Sequence, residues 1–163
     1  MPDIRIRRGS LADLDAVYRL NIDAFPEAWS KQALQHAIAG DYELLVAESV
    51  PDGGQAAVLA GYLLSHDIME EVHILQIAVQ PGMRRQHIAL QLSRALLAEK
   101  AAQPHMQRAI LEVRASNTAA QRLYRKLGFR ICGRRKDYYR PRPPSQEYEE
   151  ALLMDRLLRS VQK

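Results

Sequence analysis

The sequence of 163 residues has little cysteine and no long apolar run. Cys132 is its one cysteine, so no disulfide can form within the chain and no cysteine-based metal site is possible. The five histidines lack the paired spacing of metal ligands, and we expect no metal site. No segment approaches the roughly 20 apolar residues that span a bilayer, and the N-terminus lacks the apolar stretch of a signal peptide. These absences predict a cytoplasmic protein with no membrane partner.

Internal repeats, low-complexity segments and linkers are also missing, and the length favours a single domain over residues 1–163. Hydrophobic residues make up 47% of the chain and charged residues 26%, as in ordinary globular proteins. The formal net charge of +4 attracts anions such as phosphorylated cofactors, acidic peptides or nucleic acid. A mildly basic domain is more often simply soluble than nucleic-acid-binding. The charge by itself therefore does not select a partner, and we expect no nucleic acid.

Hydrophobic periodicity predicts an α/β chain in which short helices alternate with strands. The first half should contain a strand near residues 4–7, helices over 11–23 and 31–39, and strands over 42–48, 57–65 and 72–79. The second half should contain a helix over 88–102, a strand over 108–113, a helix over 118–127, and strands over 129–133 and 148–157, with a basic loop over 134–146. The strand, helix and strand across residues 72–113 predict a parallel pair, whereas the earlier hairpin should be antiparallel. The sheet is therefore mixed, with helices on both faces.

The turn QPGMRRQHIA, which joins a predicted strand to a predicted helix, is a candidate phosphate site. The first backbone N–H groups of a helix have no intrahelical partner and mark the positive end of its dipole. Arg84 and Arg85 add formal charge there. Two arginines at a helix start are about as often simply exposed to solvent, so this turn alone leaves both interpretations open.

The segment LEVRASNTAAQRLYRKLGF, residues 111–129, contains a carboxylate inside an apolar strand. Glu112 there would suit general-base chemistry if it were partly buried. It could equally lie at a strand edge or pair with Arg114, and the residues alone favour that simpler interpretation. Tyr124 lies on the apolar stripe of a helix, where a tyrosine is usually part of the core. Asn117 is adequately explained as a helix cap.

Together, the stretches QIAVQPGMRRQHIALQL and LEVRASNTAAQRLYRKLGF resemble the acetyl-CoA signature of the GNAT superfamily of N-acetyltransferases. The second stretch is similar to the RimI-type subgroup, which acetylates the N-terminal amine of ribosomal proteins. The segments AFPEAWS and RRKDYY agree with that subgroup, and the resemblance covers about residues 4–157. It implies a GNAT fold: a mixed sheet of about seven strands, splayed between the fourth and fifth strands, with about four helices on its two faces.

The resemblance also implies a role for particular residues, with acetyl-CoA as cosubstrate and a protein or peptide N-terminus, possibly of a ribosomal protein, as acceptor. Glu112 would accept the proton of the incoming ammonium, and Tyr124 would protonate the departing thiolate. Asn117 would contact the cofactor. The backbone of the fourth strand would pair with the pantetheine arm and acetyl carbonyl, and the following turn would surround the pyrophosphate. These cofactor-binding residues are Ile77, Ala78, Val79, Arg84, Arg85, Gln86, His87, Ile88, Ala89 and Leu90. No covalent acyl-enzyme is needed, so Cys132 has no role and should be a small core residue.

The sequence departs from the family pattern at two places. His87 stands where the first glycine of the pyrophosphate turn is expected, and we expect it to be tolerated because backbone amides supply most of the contacts. Glu27 and Ala28 are inserted between Pro26 and Trp29, in a segment on the acceptor side. Trp29 could line the acceptor groove or pack in the core, and the tyrosines of RRKDYY, Tyr138 and Tyr139, could also line that groove.

Three functions stay open from the sequence. The first is a RimI-type N-terminal acetyltransferase, and the second is a GNAT enzyme for a small amine or a lysine side chain, because one fold hosts many acceptors. The third, and the least favoured, is a catalytically weak module in which the basic segment RRKDYYRPRPP contacts RNA.

Overall fold

The computed structural model describes residues 2–159, which form a seven-stranded sheet with helices on both faces. The strands are β1 Asp3–Arg8, β2 Tyr42–Val50, β3 Val58–Ile68, β4 Glu71–Val79, β5 Arg108–Arg114, β6 Arg130–Tyr139 and β7 Glu149–Leu157. The helices are α1 Leu14–Ala24, α2 Lys31–Ala39, α3 Ile88–Ala101 and α4 Thr118–Lys126, with short 3₁₀ helices at Leu11–Asp13 and Pro81–Met83. The predicted order of elements is confirmed. Within residues 2–159, every helix is too short or too polar to cross a membrane.

The helices begin and end at the residues whose side chains or backbone favour a boundary. The hydroxyl of Ser30 accepts a hydrogen bond from the backbone N–H of Ala33 at 3.1 Å, which caps α2. The side chain of Asn117 caps α4 in the same way, and Gly128 follows that helix with a φ of 90°, a conformation that glycine adopts at no steric cost. These local signals made the helix positions predictable.

The sheet has the strand order β1-β2-β3-β4-β5-β7-β6. The neighbours β4 and β5 are parallel, and the other neighbouring strands are antiparallel, including the predicted hairpin of β2 and β3. The helix α3 connects β4 to β5, so the predicted βαβ unit is confirmed. Successive residues of β2 enter different clusters, because Leu44 and Val46 pack under α1 and α2 while Leu45 and Ala47 pack under α3. The core therefore lies on both faces of the sheet.

A bulge in β4 separates this strand from β5. The neighbouring residues Leu64 and Ser65 of β3 pair with Gln76 and Ile74. Leu75 is therefore an extra residue in β4. Extra residues of this kind bend the strand that carries them and increase its twist. The pairing of β4 with β5 ends at Ile74 and Leu111, immediately before the bulge, although both strands continue. The expected splay between the fourth and fifth strands is confirmed.

Two expectations about the end of the chain are wrong. The segment 134–139 was expected in a loop, but it continues β6, where Arg134 pairs with Leu152 and Tyr139 with Glu149. Because β6 is an edge strand that exposes most of its side chains, it lacks the alternation that marks a half-buried strand. Cys132 lies on the same edge and is exposed, so it is not a core residue.

A buried ion-pair cluster joins α3 to the sheet. The side chain of Lys100 is 0% exposed, and its Nζ lies 2.5 Å from Asp67 Oδ2 and 2.7 Å from Glu43 Oε2. Burial alone would lower the pKa of Lys100, but the hydrogen bonds to Asp67 and Glu43 outweigh it, and the pKa is raised. An ammonium without these two carboxylates would be costly to bury at this position.

We expect Lys100→Ala to lower the free energy of unfolding by about 3–5 kcal/mol, because it leaves the partly buried Asp67 without a cation and Glu43 with only the more distant Arg8. Lys100→Met, which fills the same space, should recover part of the loss. Arg94→Ala is the matched control, since Arg94 is an exposed residue of the same helix. Urea unfolding of the three variants measures the difference, and equal losses in Lys100→Ala and Arg94→Ala would contradict the assignment.

Candidate active site

The divergence of β4 and β5 opens a cleft of about 710 Å³. Its floor is formed by the facing halves of the two strands, and its sides come from the α1–α2 loop, from α4 and from the end of β6. The chemically important residues that line it are Phe25, Glu27, Trp29, Gln76, Ile77, Glu112, Arg114, Asn117, Tyr124, Arg135, Tyr138 and Tyr139. Four of the predicted site residues, Ile77, Glu112, Asn117 and Tyr124, are therefore brought to one cleft.

The second half of β4 offers a free backbone edge to this cleft. Residues 76–79 pair with β3 on one side, but on the side of β5 they have no strand partner within the described residues. An extended ligand can hydrogen-bond such an edge as an added strand would. Ala78 is buried in the core, and Ile77 and Val79 are partly buried, so these residues contribute their backbone rather than their side chains.

The predicted pyrophosphate turn lies between the end of β4 and the start of α3. Arg85 and His87 both adopt left-handed backbone conformations, with φ of 64° and 58°. His87 occupies the N-cap position of α3 without a side-chain cap, so the N–H groups of Ile88, Ala89 and Leu90 are at the open end of the helix. Arg84 and Arg85 are exposed and make no ion pair within residues 2–159. The turn thus has the free amides and the charge that an anion requires.

Glu112 is half-buried on β5, with its side chain 27% exposed. Its Oε1 lies 3.4 Å from Nε of Arg135 on β6. The hydroxyl of Tyr138 is close to the same carboxylate, which raises the pKa of Tyr138. Arg114, the partner that the simpler interpretation gave to Glu112, is bonded to other carboxylates instead. The carboxylate of Glu112 consequently reaches the cleft rather than the core.

Tyr124 and Asn117 reach the cleft from α4. The ring of Tyr124 packs against Phe129 with 5.9 Å between ring centroids. Burial raises the pKa of Tyr124 to about 12, so its hydroxyl stays protonated at neutral pH. The Oδ1 atom of Asn117 accepts the backbone N–H of Ala120 at 3.2 Å, which confirms its capping role. The tyrosine can therefore donate a hydrogen bond to a group in the cleft.

The α1–α2 loop contributes Phe25, Glu27 and Trp29 to the lining of the cleft. Asn21 holds the backbone of Trp29 through two hydrogen bonds, and Gln76 of β4 donates to Asn21 at 3.0 Å. Tyr62 in turn donates to Gln76 at 2.8 Å, so the loop is joined to two strands of the sheet. Trp29 lines the cleft and also packs against the core, so the two expected positions are compatible, and its contact with an acceptor stays a prediction.

Sequence reasoning missed the ion pairs that connect the charged residues of the cleft. The guanidinium of Arg114 bonds to Glu27, which is 87 positions away along the chain, and to Glu149, which is 35 positions away. Glu149 also accepts the backbone N–H of Ser116 at 2.6 Å, just before α4. Arg135 was identified only as part of a basic segment. No local pattern marks these pairs, because each depends on strands brought together by the fold.

Comparisons with known proteins agree with this geometry. Residues 14–129 match the acetyltransferase (GNAT) family. A putative ribosomal protein bS18-alanine N-acetyltransferase of Bacillus subtilis is 34% identical, over 91% of this chain and 92% of that protein. The ribosomal protein bS18-alanine N-acetyltransferase of Salmonella typhimurium is 29% identical, over 89% of this chain and 91% of that protein.

Solved structures give the same result for the fold. The crystal structure of the ribosomal-protein-S18-alanine N-acetyltransferase from Escherichia coli has a TM-score of 0.84 and 26% identity, and the match covers 99% of this chain and 97% of that one. The resemblance to the GNAT superfamily and to its RimI-type subgroup is confirmed. The chain therefore belongs to the acetyltransferase (GNAT) family, and its acetyl donor is acetyl-CoA.

Proposed function

We propose that this enzyme acetylates the α-amine of a protein N-terminus, and that the acceptor is a ribosomal protein that begins with alanine. The observation that carries the proposal is the cleft between β4 and β5, which has the Glu112 carboxylate and the Tyr124 hydroxyl on its lining. The relatives named for acetylation of ribosomal protein bS18 support the choice of acceptor. A ribosomal acceptor would place the reaction in the cytoplasm, with residues 1–163 acting as one domain built on one sheet.

The two cleft side chains divide the proton transfers between them. Glu112 accepts the proton of the acceptor ammonium, through a water molecule, so that the free amine can attack the thioester carbonyl. The C–N bond forms as the C–S bond breaks, and Tyr124 donates its proton toward the departing sulfur. Burial raises the pKa of Tyr124, so the hydroxyl holds this proton at neutral pH. Acetyl-CoA supplies the acetyl group already activated as a thioester.

The backbone supplies the contacts for the donor. The free edge of Ile77, Ala78 and Val79 pairs with the pantetheine arm, and an N–H of this edge stabilises the acetyl oxygen as it gains charge. The seven residues that follow this strand and its short 3₁₀ helix bind the pyrophosphate through backbone amides and charge: Arg84, Arg85, Gln86, His87, Ile88, Ala89 and Leu90. Asn117 contacts the donor from the start of α4. These roles fit the unpaired strand edge and the open helix end.

The test of the acceptor is a panel of peptides with free and blocked N-termini. We expect a free peptide that begins with alanine to be acetylated, and the same peptide with a blocked N-terminus and an internal lysine to stay unmodified. Mass spectrometry locates the acetyl group. Faster transfer to the lysine, or to a polyamine, would favour the second function left open by the sequence. Salt-dependent RNA binding without acetyl transfer would favour the third.

Removal of the carboxylate tests the role of Glu112. We expect Glu112→Gln to lower kcat by a factor of about 10²–10⁴, the usual contribution of a general base, with the acetyl-CoA dissociation constant nearly unchanged. Steady-state kinetics and calorimetry measure the two quantities. Glu70→Gln is the control, because Glu70 is an exposed residue at the β3–β4 turn, away from the cleft. Turnover in Glu112→Gln equal to that of the control would overturn the assigned role.

Substitution of His87 tests the backbone conformation of the pyrophosphate turn. The left-handed conformation costs an ordinary residue about 1–2 kcal/mol, and a β-branched residue fits it least well. We therefore expect His87→Val to be less stable than His87→Gly by about that amount. The control variants Arg94→Val and Arg94→Gly, in the middle of α3, should show the opposite order, because glycine has a lower helix propensity than valine.

Thermal unfolding of these four variants, with and without acetyl-CoA, separates stability from binding. A ligand at about 100 times its dissociation constant stabilises the folded state by about 2.7 kcal/mol. We expect the same stabilisation in the wild type and in His87→Gly, because the amides of the turn are present in both. Much tighter binding by His87→Gly would show that the histidine side chain impairs the site.

A further inference from the structure

Glu27 lies in the α1–α2 loop, and it makes a contact with another residue of the cleft lining. Its Oε1 accepts a hydrogen bond from Nη2 of Arg114 on β5. The Arg114 side chain is only 6% exposed, whereas that of Glu27 is 39% exposed. A buried guanidinium paired with a more exposed carboxylate ties the surface loop to the floor of the cleft.

The same guanidinium also contacts residues of β6 and β7. It lies over the ring of Tyr139, 4.4 Å from the ring centroid, and its Nη1 is 3.1 Å from Glu149 Oε2. Tyr138 and Tyr139 line the cleft together with Phe25 and Glu27 of the loop. Because one side chain contacts both the α1–α2 loop and Tyr139, the distance between these two parts of the lining is limited to what a single guanidinium can span.

We infer that the Glu27–Arg114 ion pair is a latch that makes Glu27 a specificity-determining residue. The latch fixes the width of the acceptor mouth, which is the part of the cleft lined by the α1–α2 loop, Tyr138 and Tyr139. The inference rests on the proposed function, since it concerns the first residue of the acceptor peptide. Asn21 anchors the far end of the loop at Trp29, so release of Glu27 frees the middle of the loop without detaching it. The closed mouth admits a small first side chain and hinders a bulky one.

The variant Glu27→Gln breaks the latch and leaves the rest of the cleft intact. Arg114 keeps Glu149 and Tyr139 as partners, so its charge does not become uncompensated, and we expect the melting temperature to change little. Asp23→Asn is the matched control. Asp23 is exposed, lies four positions earlier and makes no ion pair within residues 2–159, so it removes the same charge without touching the latch.

The measurement is the ratio of kcat/KM for two peptides that differ only in their first residue, alanine or leucine. We expect the wild type and Asp23→Asn to favour alanine strongly, and Glu27→Gln to reduce that preference at least roughly threefold, within the range that one pocket contact contributes to discrimination. The acetyl-CoA dissociation constant should stay the same in all three proteins. An unchanged ratio in Glu27→Gln would overturn the inference.

Hydrogen exchange tests the latch independently of catalysis. We expect the backbone amides of Glu27 and Ala28, in the middle of the loop, to exchange faster in Glu27→Gln than in the wild type and in Asp23→Asn. Equal exchange in the three proteins would overturn the latch whatever the peptides show. If the wild type acetylates neither peptide, the proposed function fails, and the exchange result still decides whether the ion pair holds the loop.

Discussion

The separation of β4 from β5 is the constraint on which the rest of the site depends. Parallel pairing that continued past Ile74 and Leu111 would satisfy the backbone of β4 and leave no room for a ligand. The extra residue Leu75 bends β4 at that point. Hydrogen bonds from Tyr62 to Gln76 and from Gln76 to Asn21 then hold the strand beyond the bulge on the side of α1. A local irregularity is thus stabilised by a buried polar network and becomes a binding cleft.

Charge pairing explains how a basic chain can present a cleft suited to an ammonium group. Arg134 and Arg135, which would repel a cationic acceptor, are bonded to Glu150 and Glu112. Arg114 is compensated by two carboxylates and is almost fully buried. The exposed arginines of the pyrophosphate turn, in contrast, have no acidic partner within the described part of the chain. Under the proposed function, positive charge is therefore available at the pyrophosphate turn, whereas the charges of Arg114 and Arg135 in the cleft are compensated.

Much of this architecture was predictable because it is encoded locally. Caps such as Ser30 and Asn117, and the apolar periodicity between them, predicted the four α-helices and the succession of helices and strands along the chain. The cleft residues could be named only through a resemblance to known enzymes, since periodicity alone left Tyr124 in the core and Glu112 in an ion pair. The continuation of β6 was missed because its charged side chains face solvent on both sides. Long-range partners leave no local signal, and Glu27 with Arg114 is the clearest example.

The unusual histidine of the pyrophosphate turn can be understood from its backbone. Glycine is expected there because the turn needs a left-handed residue, and His87 has a φ of 58° and a ψ of 24°. Histidine enters that region more readily than branched or bulky residues do. Its side chain is exposed, so it does not displace Ile88, the first residue of α3, which packs in the core. The requirement at this position is therefore a backbone conformation, and a residue other than glycine can meet it at a modest cost in strain while the amides that follow stay free for phosphate.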